Sequence, residues 1–511
     1  MSLLLKLFSN AVDFLKKLLP LFYAGLIVLG GIYLGYELVK IPDQMKVLVL
    51  FSLLLFYPAM RYPVVGVYTA FIVLPFIPYF RKLYYLVYQR PSADPLILVG
   101  DLIVALSFIG LYFVFRERRD YDFNVRTFSR IMVFYIVYVI VRSVLYNETG
   151  SVAGMMRVRF YAPQVLLFFI GIVFAERKKL HTHIGYITVV IGILAALYGI
   201  KQLYLGYSEA ERIWFSSISF QSLFIGGNAR PFSFFQSPAS YADYMQISMI
   251  ALLALAGSHL KINRFWIYLL LPVFGYAILI TSVRSNWAGL VLSIFLWTVF
   301  LNLKQGKYRY AVIISLVLIF LGFSFWDEVM HAGFNPARLA KNVIGMSSNR
   351  DYLNVLITDR MGAVVNPFEE HSMLSRLTLW KDLFVYSLDP FKALLGRGTG
   401  VLNADSLYVT YLAEFGYPGL IFISSLVIIF IWKGFRILDS QTDDHTRNLV
   451  KAITVFNLTF ALLNLTGTHI HAFPGDTFFW FFNGVLIKIA SLSKEEKTIE
   501  EKVTDNAGFS S

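Results

Sequence analysis

Cysteine is missing from the 511-residue chain. Its absence removes a disulfide framework, a thiolate nucleophile and any cysteine-ligated metal, and it leaves the redox compartment unmarked. Charge is scarce as well: 15% of residues are Asp, Glu, Lys or Arg, against about 25% in soluble domains. No small-residue cleavage motif follows Lys6, Lys16 and Lys17 ahead of the first apolar run, so a cleavable signal peptide is not expected. Nucleotide-loop chemistry is missing too. Gly396-Arg397-Gly398-Thr399-Gly400 lacks both the Gly-Lys-Ser/Thr of a Walker loop and the G-x-G-x-x-G fingerprint. It reads as a tight turn, with a backbone-amide anion nest as the other option.

What fills the chain instead is apolar: 57% hydrophobic and 17% aromatic residues. A transmembrane helix needs about 17–25 mainly apolar residues. Such runs lie near 20–39, 44–60, 62–80, 95–115, 128–146, 160–175, 183–205, 239–257, 264–282, 285–302, 309–326, 406–432, 449–467 and 472–491. The second or third could be re-entrant or tilted, and a break is expected in the twelfth near Gly416-Tyr417-Pro418-Gly419, because proline removes a backbone donor. The expected fold is therefore an all-α polytopic membrane protein with about 12–14 transmembrane helices.

The net charge of +13 does not imply nucleic acid, because the basic residues sit in short loops between apolar runs. With the N-terminus in the cytoplasm, the clusters Arg116/Arg118/Arg119, Arg177/Lys178/Lys179, Lys261/Arg264, Lys304/Lys307/Arg309 and Lys433/Arg436 all fall inside, as orientation by Lys and Arg requires. Both termini are then cytoplasmic. The chain divides into N-terminal spans (1–205), a first extracytoplasmic loop (206–238), central spans (239–326), a large extracytoplasmic loop with amphipathic helices (327–404), C-terminal spans (405–491) and a polar tail expected to be disordered (492–511).

Outward-facing cations are mostly arginine, including Arg142, Arg157, Arg159, Arg212, Arg230, Arg284, Arg338, Arg350, Arg360, Arg376 and Arg397. Arginine's planar fork binds phosphate bidentately, so an anionic ligand on that side is one explanation. Pairing with the acids of the 327–404 loop, or with lipid head groups, is the other. Arg230 lies in a Gly/Asn/Pro-rich turn and Arg284 in a short polar break between two spans; snorkelling accounts for either alone as well as ligand binding does. In the loop, Arg376 and Trp380 share one helix face. His469, His471 and Asp476 have metal-like composition at an outward turn but lack a convincing third ligand spacing.

Taken in order, these motifs resemble the O-antigen ligase and polymerase superfamily. Arg230 precedes a Ser-Pro-x-x-Tyr-Ala helix start, Thr-Ser-x-Arg-Ser surrounds Arg284, and the loop carries Arg-xxx-Trp, Asp-Pro and Gly-x-Gly-x-Gly. The family signature of His-Asn/Ser, nine residues, then Gly-x-x-Gly matches in spacing at Asp405-Ser406 and Gly416–Gly419, with aspartate in place of histidine.

The resemblance implies a metal-independent integral-membrane glycosyltransferase of the GT-C type, without cofactor, in the bacterial plasma membrane. Its donor would be an undecaprenyl-diphosphate-linked oligosaccharide and its acceptor a hydroxyl at the extracytoplasmic face. Arg230, Arg284 and Arg376 match the diphosphate-binding positions. Asp405 is the candidate base or acceptor orienter, with a helix N-cap as its compatible alternative. His371 and Glu414 are rival bases; His371 could instead be a solvated loop histidine and Glu414 structural. Trp380, Gly398, Ser406, Gly416 and Gly419 are expected to shape the loop. The expected activity is repeat-unit polymerisation of O-antigen, capsule or exopolysaccharide, with a chain-length regulator and a flippase as candidate partners beside membrane lipids. A ligase acting on a lipid or protein acceptor is the close alternative. A flippase is the alternative of another class, although it should show internal repeat symmetry, and none is visible.

Overall fold

The computed structural model describes residues 58, 61–88, 95–115, 123–148, 150–217, 223–225, 228–257, 264–301, 371–387, 389–400, 405–438, 443–471 and 473–508. The expected spans near 20–39 and 309–326, nearly all of 44–60, and the 327–370 part of the large loop lie outside these residues.

The protein is an all-α polytopic membrane protein. Among the described residues, six helices are long and apolar enough to cross a membrane: Pro63–Val87, Val125–Leu145, Gly154–Phe174, Lys178–Leu205, Pro238–Gly257 and Leu407–Leu438. Arg264–Leu279, Arg284–Leu301, Asp444–Leu463 and Gly475–Gly508 complete the bundle around the site. A two-residue antiparallel hairpin, Phe224–Ile225 with Asn228–Ala229, interrupts the first polar loop.

The Pro238–Gly257 helix is the axis. Ser237 Oγ accepts from Ser240 N at 3.2 Å and proline follows it, a favoured start for a helix. Of its apolar window 72% is buried, against 33% for Val125–Leu145, so the first is enclosed and the second is only partly covered by the described residues. Around the axis pack Lys178–Leu205, Arg264–Leu279, Arg284–Leu301 and Asp444–Leu463.

In lipid, burial alone does not favour one apolar face over another, so close packing and interhelical hydrogen bonds set the arrangement. Both are visible. Helices Leu166–Phe174 and Gly475–Gly508 cross at Gly171 and Gly484, where an added Cβ would lie 2.0 Å from the carbonyl oxygens of Phe481 and Phe168 respectively. The Asn457 and Asn483 amides exchange hydrogen bonds at 2.8 and 3.0 Å.

The expected break in Leu407–Leu438 is present, and Gly416 makes it: its φ of 69° is left-handed backbone that glycine adopts without strain. The tail differs from expectation. Gly475–Gly508 stays helical through residues read as disordered; the Lys/Glu-rich stretch after Ser493 is polar but made largely of good helix formers, and it extends a helix already nucleated in the bundle.

Candidate active site

The site is built at one end of the bundle, from the loops that open the Pro238, Arg284 and Leu407 helices and the turn that closes Asp444–Leu463. The loop from Arg230 to Ser237 is held by polar groups buried beneath it. Gln202 Oε1 accepts from Phe232 N at 3.0 Å and Ser233 N at 2.7 Å, while its Nε2 donates to Ser233 O and Glu211. Lys82 Nζ donates to the Ser233 and Phe235 carbonyls at 3.1 and 2.8 Å and stands 4.2 Å from the centre of the Phe232 ring. A lysine at such depth is costly without partners; here it fastens the loop.

That loop delivers Arg230. Its Nε donates to the Thr281 carbonyl at 2.8 Å, in the turn directly before Arg284, the first residue of its helix. The two arginines expected at a diphosphate therefore occupy adjoining loops.

Beneath them lies a constellation that the sequence did not bring together. Asp243, one turn into the axial helix, is buried. Its Oδ1 accepts from Asn286 Nδ2 at 2.8 Å, and its carboxylate meets His469 Nδ1 at 2.8 and 3.0 Å. Asn286 is two residues beyond Arg284. His469 Nε2 meets no hydrogen-bond partner among the described residues. The nitrogen is itself buried and faces Gly467, where an added Cβ would come within 2.3 Å of it.

The turn carrying His469 is tied to the start of the Leu407 helix. Leu407 N donates to the Asn464 and Gly467 carbonyls, each at 2.9 Å, and Ser406 Oγ reaches Asn464 O at 3.3 Å. Exposed Asp405, with a φ of 47°, is thus beside the His469 turn. The position where the resemblance expects histidine holds aspartate, yet a histidine from 64 residues downstream reaches the neighbouring turn.

Glu414 is placed differently. Its Oε2 accepts from Tyr161 Oη and its Oε1 from Gly400 N at 2.7 Å. Two further bonds, Arg397 N to Ala413 O at 2.7 Å and Gly398 N to Glu414 O at 3.1 Å, wrap the glycine turn around the break at Gly416. An added Cβ at Gly416 would lie 2.3 Å from Ala393 O, and one at Gly419 2.3 Å from Phe415 Cβ. Gly398 packs on Asn147, and Arg397 pairs with Glu148 at 2.9 Å, so the turn is docked on the 142–159 segment. The tight-turn reading fits: two of its amides are spent on Ala413 and Glu414 carbonyls and a third on the Glu414 carboxylate.

The helix His371–Tyr386 lays Leu379, Trp380 and Leu383 against Val409 and Ala413. The side chains of His371 and Arg376 lie outside the described residues. His471 and Asp476 diverge from His469: the His471 ring packs against Tyr161 and Tyr411, at 4.7 and 5.0 Å between centroids, and Asp476 accepts from Thr477 Oγ1 at 3.0 Å.

No protein-family model and no curated protein matches the sequence. Among solved structures, a chain from work on "Structural coordination of polymerization and crosslinking by a peptidoglycan synthase complex" aligns with 71% of this chain and 97% of its own, at 12% identity and a TM-score of 0.39. Similarity at that level says nothing of activity.

Proposed function

We propose that the protein is an integral-membrane glycosyltransferase that polymerises lipid-linked oligosaccharides, using a polyprenyl-diphosphate-linked donor and a sugar hydroxyl as acceptor. The observation that carries this reading is the Asp243–His469 pair, whose outer imidazole nitrogen lies buried without a partner among the described residues, set beside the loops of Arg230 and Arg284. His469 Nε2 takes the proton of the acceptor hydroxyl as its oxygen attacks the anomeric carbon. Asp243 holds Nδ1–H and stabilises the imidazolium, and Asn286 fixes Asp243. The bond from sugar to diphosphate breaks, and Arg230 and Arg284 stabilise the departing anion; fixed donors at developing charge typically contribute a few kcal/mol each. Asp405, on the adjoining turn, orients the acceptor. Loop charge supports an extracytoplasmic location for this end.

The test is elongation by purified protein in nanodiscs supplied with the native lipid-diphosphate repeat unit, without ATP or metal. A ladder of longer glycans is expected, with His469→Gln slower by about 10²–10⁴-fold, the usual range for a general base. A single transfer onto a lipid or protein acceptor would identify a ligase instead. Transbilayer movement without elongation would identify a flippase. Undiminished elongation by His469→Gln would remove the mechanism while leaving the reaction class intact.

A further inference from the structure

Lys82, Gln202 and Glu211 form a buried polar cluster, and what they hold is the loop of Arg230. Ser233 is gripped on every polar atom. Its N donates to Gln202 Oε1 at 2.7 Å, its carbonyl accepts from Gln202 Nε2 at 2.9 Å and Lys82 Nζ at 3.1 Å, and its Oγ donates to Ala195 O at 2.8 Å. Lys82 also donates to the Phe235 carbonyl, at 2.8 Å. Glu211 accepts from Gln202 Nε2 and from Ser208 N and Oγ at 2.7 and 2.9 Å, and it supplies a countercharge to Lys82. The supports are rigid. Lys82 lies in helix Ile77–Tyr88 and Glu211 in helix Glu209–Ser217, and buried Trp214 of the second stands 5.0 Å from both the Tyr85 ring and the Arg81 guanidinium of the first.

Backbone conformation marks the same place. Among the described residues, left-handed backbone outside glycine occurs at Ser233, Ser282 and Asp405, with φ of 54°, 55° and 47°. These three lie in the loop after Arg230, the turn before Arg284 and the turn beside His469. Such backbone is costly for a residue with a Cβ, persists where its surroundings over-determine it, and gathers at functional sites. Ser282 adjoins Thr281, whose carbonyl accepts from Arg230 Nε at 2.8 Å. The two arginine loops are therefore joined by Arg230 itself, and a shift of the loop at Ser233 would change where Arg230 stands relative to Arg284.

We infer that Lys82 and Gln202 are positioning residues that hold Arg230 in register with Arg284, and that this register selects a diphosphate head over a monophosphate. A guanidinium fork grips the oxygens of one phosphate. Two forks in fixed relation can engage both phosphates of a diphosphate, whereas a monophosphate engages one. Lys82 and Gln202 are closed beneath the loop, so neither meets the ligand and each acts through Arg230. The inference rests on the reading that Arg230 and Arg284 take the donor's diphosphate, and it adds what makes that site specific.

The test is equilibrium binding of farnesyl diphosphate and farnesyl monophosphate to the full chain in nanodiscs, with empty nanodiscs as the blank; it needs no turnover. Wild type should prefer the diphosphate by about tenfold or more, the size of one charge-assisted hydrogen bond. Lys82→Met should weaken diphosphate binding by about tenfold or more and monophosphate binding by less than about threefold, so that the preference collapses. Gln202→Met, which releases Ser233 without changing charge, should do the same, and it decides the matter if melting shows Lys82→Met to be unfolded. Equal loss of both ligands, the mark of a generally loosened fold, or a folded variant that keeps the preference would overturn the positioning role and leave the donor reading in place. A wild type without the preference would overturn both.

Discussion

Two carboxylates are buried in membrane helices at the same end of the molecule, and their partners make them different. Glu414 is enclosed by a tyrosine hydroxyl and a backbone amide, Tyr161 Oη and Gly400 N, which fasten the glycine turn to the broken helix. Asp243 is held by Asn286 but also meets an imidazole whose far nitrogen has no partner among the described residues. A buried acid is costly in either place. The first is compensated by groups that only hold; the second orients a group that can accept a proton. Burial and residue type alone would not separate them.

The comparison breaks most visibly on the Asp243 side. If Asp243 and His469 act as one unit, Asp243→Asn and the double variant with His469→Gln should both lose elongation rate to about the same extent as His469→Gln alone, roughly 10²–10⁴-fold. Initial rates of glycan laddering measure this, with solubilised yield and melting as controls for folding. Losses that multiply in the double variant would show two independent groups instead of a relay.

How much of this could be read in advance depended on the range of the contact. The helices were legible because long apolar runs have few alternatives in lipid, and the break at Gly416 because glycine and proline cluster there. Glu414 was legible as an acid in need of a partner, and its partner Gly400 is 14 residues away. The Asp243–His469 contact spans 226 residues. Asp243 and Asn286 directly follow the motifs that suggested the resemblance, yet nothing in local pattern aims them at a histidine from a distant turn. A lone aspartate in the axial helix was the one available signal. The grouping of His469 with His471 and Asp476 by proximity in sequence obscured it, since the turn sends the three side chains to different neighbours.

Glu414 supplies the next, smaller effect. Glu414→Ala leaves the Gly400 amide and the Tyr161 hydroxyl without their acceptor in a buried place, and should destabilise by about 1–3 kcal/mol. Glu414→Gln keeps an acceptor oxygen and should cost less. Thermal melting in one detergent reads the difference, and elongation normalised to folded protein should stay within a few-fold of wild type in both. A well-folded Glu414→Gln that no longer elongates would place Glu414 in the reaction and erase the contrast with Asp243.

The smallest effect belongs to an acid at the opposite end and in contact with water. Asp443 Oδ2 pairs with Lys178 Nζ at 2.8 Å and caps its helix, accepting from Thr446 N at 3.0 Å and Thr446 Oγ1 at 2.7 Å. The Lys178 bond first, then Thr446, hold its carboxyl well below the usual carboxylate range. A depressed folded-state value means that its stabilisation is present above the unfolded value of about 3.9 and fades as pH falls through that value toward the folded one. Because both partners are about half exposed, solvent screening limits the pair to about 0.2–1 kcal/mol. Asparagine also caps helices, so Asp443→Asn isolates the charge. Its melting temperature should lie slightly below wild type at pH 7, and the gap should narrow at pH 3 and in high salt. A gap that stays constant across both changes would mean that the carboxylate acts through geometry alone, as Glu414 does, and not through its charge.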